Sequence, residues 1–321
     1  MKLLQVFATL TLLALLLAGC SHQPPATPPA GSSPTPISTG PRPAVDAPPS
    51  RAEPTRAARG QPGVAEPPSA RGNMAFYEVF GQRYRTLSSA EGYRERGVAS
   101  WYGAKFHGLP TSSGEPYDMH AMTAAHRSLP LPTWVEVHHL HSGKRIVVRV
   151  NDRGPFVDNR IIDLSYAAAR ELDMVEDGTA LVEVRTLRDP LDIDPIAIVY
   201  TPDGRRVRGA ELHAAHRPAR RTSSFSPVAV ADAATATPPP DTGGEPLFLQ
   251  VGAFAQRENA ERLTARLAAD GFPDTFILGD NSAAQPIYRV RIGPIADVAS
   301  FDATVEELTR LGISDTRLVT D

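Results

Sequence analysis

Two stretches of this chain are built from residues that cannot form a core, and they decide what the remainder can become. Residues 21–72 and 211–244 consist largely of Pro, Ala, Ser, Thr and Arg and hold most of the 31 prolines in the 321-residue sequence. Segments with so little large apolar surface cannot offset the entropy of ordering and read as disordered or polyproline spacers. Two pieces are left to fold, residues 73–210 and 245–321, behind a leader at residues 1–19.

The first piece is a succession of short apolar runs broken by turn residues. FYEVFGQRYRTL alternates around Gly81 and Gln82 and predicts a hairpin leading into the first strand of a barrel. Further strands are expected at residues 98–102, 121–124, 134–139, 145–151 and 180–186, and a helix at residues 165–172 with Ser165 as its cap. Many short strands, frequent Gly and Pro turns and one helix indicate a compact Greek-key or pseudo-symmetric barrel. After Pro190, IAIVYTPDGRRVRG reads either as a hairpin turning through Pro202-Asp203-Gly204 or as an ordered tail of the barrel.

The second piece reads strand (247–254), helix (257–270), strand (274–278), strand (287–292), helix (297–311), strand (316–319). Two such halves give a ferredoxin-like βαββαβ sheet with both helices on one face. Ala260, Leu263 and Leu267, with Val305 and Leu308, recur at helical spacing and are expected in the core. On the strand before them, Leu249 and Val251 should face the helices.

A net charge of -3 with both signs interspersed provides no basic stripe, which argues against nucleic acid as a partner. Lys2, an apolar run at residues 6–17 and then Leu17-Ala18-Gly19-Cys20 have the form of a bacterial lipoprotein signal, too short to span a bilayer well. Cys20 is then the first mature residue, thioether-linked to diacylglycerol and N-acylated. The membrane anchor is lipid, at roughly 0.8 kcal/mol per buried methylene. Ser21 after the cysteine resembles sorting to the outer membrane, facing the periplasm. As Cys20 is the only cysteine, the mature chain has no disulfide framework. About fifty residues of partly extended spacer reach on the order of 100 Å, enough to enter the cell wall.

Glycosidic bond cleavage needs a proton delivered to the leaving oxygen and an attacking oxygen at the sugar carbon, and carboxyl groups tuned by their surroundings serve both needs. Glu115 in Gly114-Glu115-Pro116 and Asp152 in Asp152-Arg153-Gly154-Pro155 stand at turns that hold a side chain at the end of a strand. His126 ends the short run MTAAH. Asn151 and Arg153 flank Asp152 with donors that could orient a carboxylate or a sugar, although Arg153 would also oppose an acid role for Asp152. Trp101, Tyr102 and Tyr117 offer stacking surfaces for sugar rings, with core burial equally open for Trp101. No metal site is expected at His138, His139 and His141, since on a strand the three do not share one face. No cofactor is implied.

The lipobox together with GVASWYGAKFHGLPTSSGEPYD, AMTAAHRSLPLPTWVEV, VRVNDRGPF and RIIDLS resembles the rare lipoprotein A family of septal lytic transglycosylases, whose barrel is a double-psi β-barrel. FLQVGAFAQRENAERL and YRVRIGPI resemble a SPOR domain. The resemblance implies a mainly β plus α+β chain: a double-psi barrel at residues 73–210 and a SPOR unit at 245–321, joined by disordered linkers.

It also implies an endolytic lyase that cleaves peptidoglycan between N-acetylmuramic acid and N-acetylglucosamine. The muramyl C6 hydroxyl attacks its own anomeric carbon and leaves a 1,6-anhydro end. The family's functional trio falls on Glu115, His126 and Asp152, converging in one sugar-sized cleft. Asp152 is the expected general acid and then base, Glu115 a supporting carboxylate, and His126 an orienting group. On the SPOR unit, Gln250, Phe254 and Arg289 match positions expected to contact denuded glycan at the division septum, where division proteins are further possible partners; core packing of Phe254 is the competing reading. A hydrolase pairing Glu115 with Asp152, and a non-catalytic wall-binding lipoprotein with an expansin-like barrel, are the alternatives.

Overall fold

The computed structural model describes residues 55–157, 159–216, 245–280 and 286–320. The leader, Cys20 and residues 217–244 lie outside the described residues. None of the described helices is long and apolar enough to cross a membrane.

The barrel is made by β3 (Arg94–Tyr102), β4 (Thr123–His126), β5 (Thr133–His139), β6 (Arg145–Asp152), β7 (Arg160–Ser165) and β8 (Thr179–Thr186). They close in the order β5-β6-β4-β7-β3-β8 and back to β5, a six-stranded ring. β3 runs parallel to β7 and β4 parallel to β6, while β4 and β7 are antiparallel, so two parallel pairs meet at the β4–β7 seam. Period-2 alternation sends Val135, Val137, Val148, Val150, Val182 and Val184 into one core, where each is completely buried. Burial of each such side chain is worth about 1.5–3 kcal/mol. On the other face of β5, Glu136 is also buried and is neutralised by Arg145 and Arg185.

β1 (Phe76–Val79) and β2 (Gln82–Arg85) form the expected hairpin, turning through Phe80 and Gly81, both at positive φ. It is a separate ribbon, laid on the barrel by Tyr77 and Tyr84 packing against Phe156. α1 (Tyr166–Glu171) begins where expected, with Ser165 Oγ accepting from the Ala168 N–H. β7 was not foreseen as a strand, because its apolar run continues directly into the alanine-rich helix.

Two boundaries differ from the compositional reading. Residues 55–72, assigned to the spacer, form a strap on the barrel. Arg56 bridges to Ala121, Ala58 is buried, and the Glu66 carboxylate accepts hydrogen bonds from Trp134 Nε1 (2.9 Å) and Arg149 Nε (2.8 Å). The strap is held by backbone hydrogen bonds at Arg56 and Ser69 and by the ion pair of Glu66 with Arg149, so it needs no apolar run. After Pro190 the hairpin alternative holds: β9 (Ile198–Tyr200) and β10 (Arg206–Arg208) pair, and Ile198 adds to the barrel sheet beside Ile146. α2 (Gly209–His216) then crosses into the stretch read as linker, anchored by buried Leu212.

In the C-terminal unit, β11 (Leu247–Phe254), α3 (Arg257–Ala269), β12 (Thr275–Asp280), β13 (Ile287–Ile292), α4 (Val298–Arg310) and β14 (Arg317–Thr320) follow the expected order, with an antiparallel sheet β12-β13-β11-β14. Ala260, Leu267, Val305 and Leu308 are buried, and Leu263 packs partly buried against them. Asp297 caps α4, its carboxylate accepting from Ser300 N–H at 2.7 Å.

Candidate functional site

β6 ends at Asp152 on the rim of a cleft of about 330 Å³. Tyr102, Tyr117, Phe106 and Leu109 wall one side, Phe156 another, and Ala125 and Gly154 contribute to its lining. Tyr102 and Tyr117 stack on each other with centroids 4.2 Å apart, and Phe106 meets Tyr102 edge-on. Tyr117 is buried and donates its hydroxyl to the Tyr102 carbonyl, so it backs the wall. The apolar surface open to a sugar comes from Phe106 and Leu109, both exposed, which the sequence reading did not select.

Asp152 is gripped through one oxygen. Oδ1 accepts from Ser112 N (2.8 Å), Ser112 Oγ (2.7 Å) and Arg153 N (2.7 Å). These bonds tie the end of β6 to the loop at residues 111–116 and leave Oδ2 for a substrate.

Arg153 lines the cleft, but its guanidinium is engaged within the fold. Its guanidinium is buried and donates to the carbonyls of Gly72, His126 and Leu129 and to Asn73 Oδ1. It stitches the strap to the turn after β4. Asn151 is also buried, and its Nδ2 donates to Glu115 Oε2 at 2.9 Å.

Of the expected trio, Asp152 lines the cleft, while Glu115 and His126 are not among its lining residues. Glu115 accepts from Arg149 Nη1 at 2.8 Å and from Asn151, and Arg149 in turn holds Glu66. Burial works to raise the Glu115 carboxyl, but the hydrogen bonds from Asn151 and Arg149 and the Arg149 charge outweigh it, and its pKa is lowered. A carboxylate so held braces Asn151, the residue before Asp152.

His126 is 2% exposed. Its Nδ1 accepts the N–H groups of Ser128 and Leu129, both at 3.1 Å, and its Nε2 lies 2.9 Å from the Tyr93 hydroxyl. Burial, followed by the charges of Arg127 and Arg153, pulls its pKa down to about 3. The ring is therefore neutral and shapes the turn from β4 to β5. Its burial was not legible in the sequence, because Tyr93, which packs on the ring, lies 33 residues away in the chain.

The structure adds a second carboxyl that the sequence reading passed over. Asp163, on β7, lines the same cleft, with Ser100 Oγ donating to its Oδ1. Burial pushes its pKa up against the Ser100 hydrogen bond and the charges of Arg160 and Arg127, and Asp152 adds to the rise. The signal available was one carboxyl inside the apolar strand IIDL.

On the C-terminal sheet, Gln250 pairs with Arg291 and Ala253 with Arg289, so these positions share the face turned from the helices. Phe254 does not join them. A bulge between Gln250 and Gly252 reverses the alternation, so that Gly252 pairs with buried Val290 and Phe254 with Tyr288. Phe254 packs over Gly252 toward Leu263, in the core. His139 Nδ1 accepts from the N–H groups of His141 and Ser142 and closes the β5–β6 turn.

A family model described as lytic transglycolase matches residues 94–184, and one described as SPOR domain matches residues 243–317. The endolytic peptidoglycan transglycosylase RlpA of Pseudomonas aeruginosa PAO1 is 38% identical over 263 residues, spanning 76% of this chain and 75% of that protein. The protein of the same name from Vibrio cholerae is 54% identical over 122 residues, 38% of this chain and 46% of its own length. The crystal structure of the RlpA SPOR domain from Pseudomonas aeruginosa is 33% identical and aligns with 23% of this chain and 99% of its own, at a TM-score of 0.22. The chain belongs to the RlpA family, a lytic transglycosylase barrel followed by a SPOR domain.

Proposed function

We propose that the chain cleaves peptidoglycan glycan between N-acetylmuramic acid and N-acetylglucosamine, prefers strands without stem peptides at the septum, and leaves 1,6-anhydro ends. The observation that carries this reading is Asp152, presented with one oxygen free in an aromatic-walled cleft of sugar size. Of the three groups Glu115, His126 and Asp152, it is the one that lines the cleft. Glu115 and His126 act through it, Glu115 by bracing Asn151 and His126 by setting the turn whose carbonyls hold Arg153.

The SPOR unit brings the barrel to denuded glycan through Gln250 and Arg289. Lipid on Cys20 keeps the protein on the outer membrane, and the spacer lets it reach the wall. The test is digestion of amidase-treated sacculi by the soluble form, with mass analysis of the released sugars. Oligosaccharides ending in anhydro-muramic acid support the reading; intact sacculi that retain the bound protein support a wall-binding lipoprotein instead.

A further inference from the structure

We propose that Asp163 is a second catalytic carboxyl, which gives its proton to the departing glycosidic oxygen while Asp152 takes the proton of the attacking C6 hydroxyl. This rests on the transglycosylase reading above and divides between two residues the acid and base work that the sequence assigned to Asp152 alone.

The fold sets the two groups opposite each other. In β4, Ala125 is paired with Asp152 of β6 on one side and with Asp163 of β7 on the other. Residues in register on neighbouring strands share a face, and both carboxyls line the cleft. Two strand spacings put their Cα atoms about 10 Å apart, with Ala125 between them.

The space between them is kept clear of side chain. A methyl placed on Gly154 would come 3.7 Å from Ala125 Cβ and 3.8 Å from Asp163 Oδ2. The surroundings also differ in the sense the chemistry needs. Asp152 accepts three donors. Asp163 accepts one, from Ser100 onto Oδ1, and burial favours its neutral form, leaving Oδ2 beside Gly154 to carry the proton.

In the step, the bond from the anomeric carbon to the glycosidic oxygen breaks as that oxygen takes the Asp163 proton. The C6 oxygen of the same sugar bonds to the anomeric carbon as its proton passes to Asp152. Asp163 is left ionised and Asp152 protonated, and proton exchange with solvent restores both. No water is consumed.

The test compares Asp163→Asn and Asp152→Asn in the full chain on two substrates: amidase-treated sacculi, and a glycan oligosaccharide ending in a 4-nitrophenyl β-glycoside of N-acetylmuramic acid. A nitrophenolate leaves without protonation. Asp163→Asn is expected to lose ~10²–10⁴-fold on sacculi and to keep activity on the aryl glycoside within about tenfold, while Asp152→Asn loses on both. Circular dichroism and thermal unfolding confirm that each variant folds. Equal loss of Asp163→Asn on both substrates, or full activity on sacculi, overturns the proposal. Absence of anhydro products from the parent protein instead overturns the transglycosylase reading on which it stands.

Discussion

Arg153 gives Asp152 its backbone N–H at 2.7 Å and turns its guanidinium the other way, onto the carbonyls of Gly72, His126 and Leu129. The sequence suggested that this neighbouring cation would oppose acid chemistry at Asp152. The structure instead uses it to hold the strap and the turn after β4, so its part is to fix the cleft's frame.

Arg153→Ala should therefore destabilise the barrel by about 3 kcal/mol, since it leaves several buried carbonyls without a donor. Urea unfolding followed by tryptophan fluorescence measures this. Arg153→Lys should recover little, because one ammonium cannot span the carbonyls that the planar fork reaches. Full stability of the lysine variant would contradict the clamp.

Asp152→Asn, whose Oδ1 can still accept from Ser112 and Arg153, should remove sacculus digestion by at least ~10²-fold with little change in unfolding midpoint. Glu115→Gln should act more mildly, because it keeps an acceptor for Asn151 while it loses the charge facing Arg149. Initial rates on denuded glycan separate the two.

His126 remains neutral in the folded chain down to about pH 3, whereas the unfolded imidazole protonates near 6.5. Unfolding takes up a proton between these values. Its contribution to stability is complete above about pH 6.5 and is lost as pH falls toward about 3. His126→Asn, whose Oδ1 can replace Nδ1 as acceptor for the Ser128 and Leu129 N–H groups, should flatten the fall in unfolding free energy over that range. An unchanged slope would assign the acid sensitivity elsewhere.

Gly154→Ala should cost activity for two reasons. Its φ of +141° lies where side chains are strained, and the added methyl enters the space between Ala125 and Asp163. A drop in turnover larger than the drop in stability distinguishes cleft filling from strain, read from kinetics and thermal unfolding of the same preparation.

On the SPOR sheet the expected outcomes diverge. Phe254→Ala should lower stability by about 1–3 kcal/mol through lost packing on Leu263 and Gly252. Arg289→Ala should weaken retention on denuded sacculi. Co-sedimentation and calorimetry of the two variants check both statements.

The parts of the fold that follow from alternation were legible: the paired valines of β5, β6 and β8, the Ser165 cap, and the order of strands and helices in the C-terminal unit. What composition misread was the strap, because Glu66 and Ala58 anchor it one residue at a time among prolines. Phe254 was misplaced because a bulge reverses alternation without any mark in the sequence. Of the cleft's carboxyls, Asp152 was selected from its turn. Asp163 was hidden, since only the pairing of β4 with both β6 and β7 brings it to the same cleft.

The central claim is that the attacking oxygen belongs to the sugar. Digestion of amidase-treated sacculi in water enriched in heavy oxygen tests this most directly. The account predicts released chains with anhydro ends and no heavy label at the new terminus. Reducing ends carrying the label would show attack by water and would replace this mechanism with that of a hydrolase.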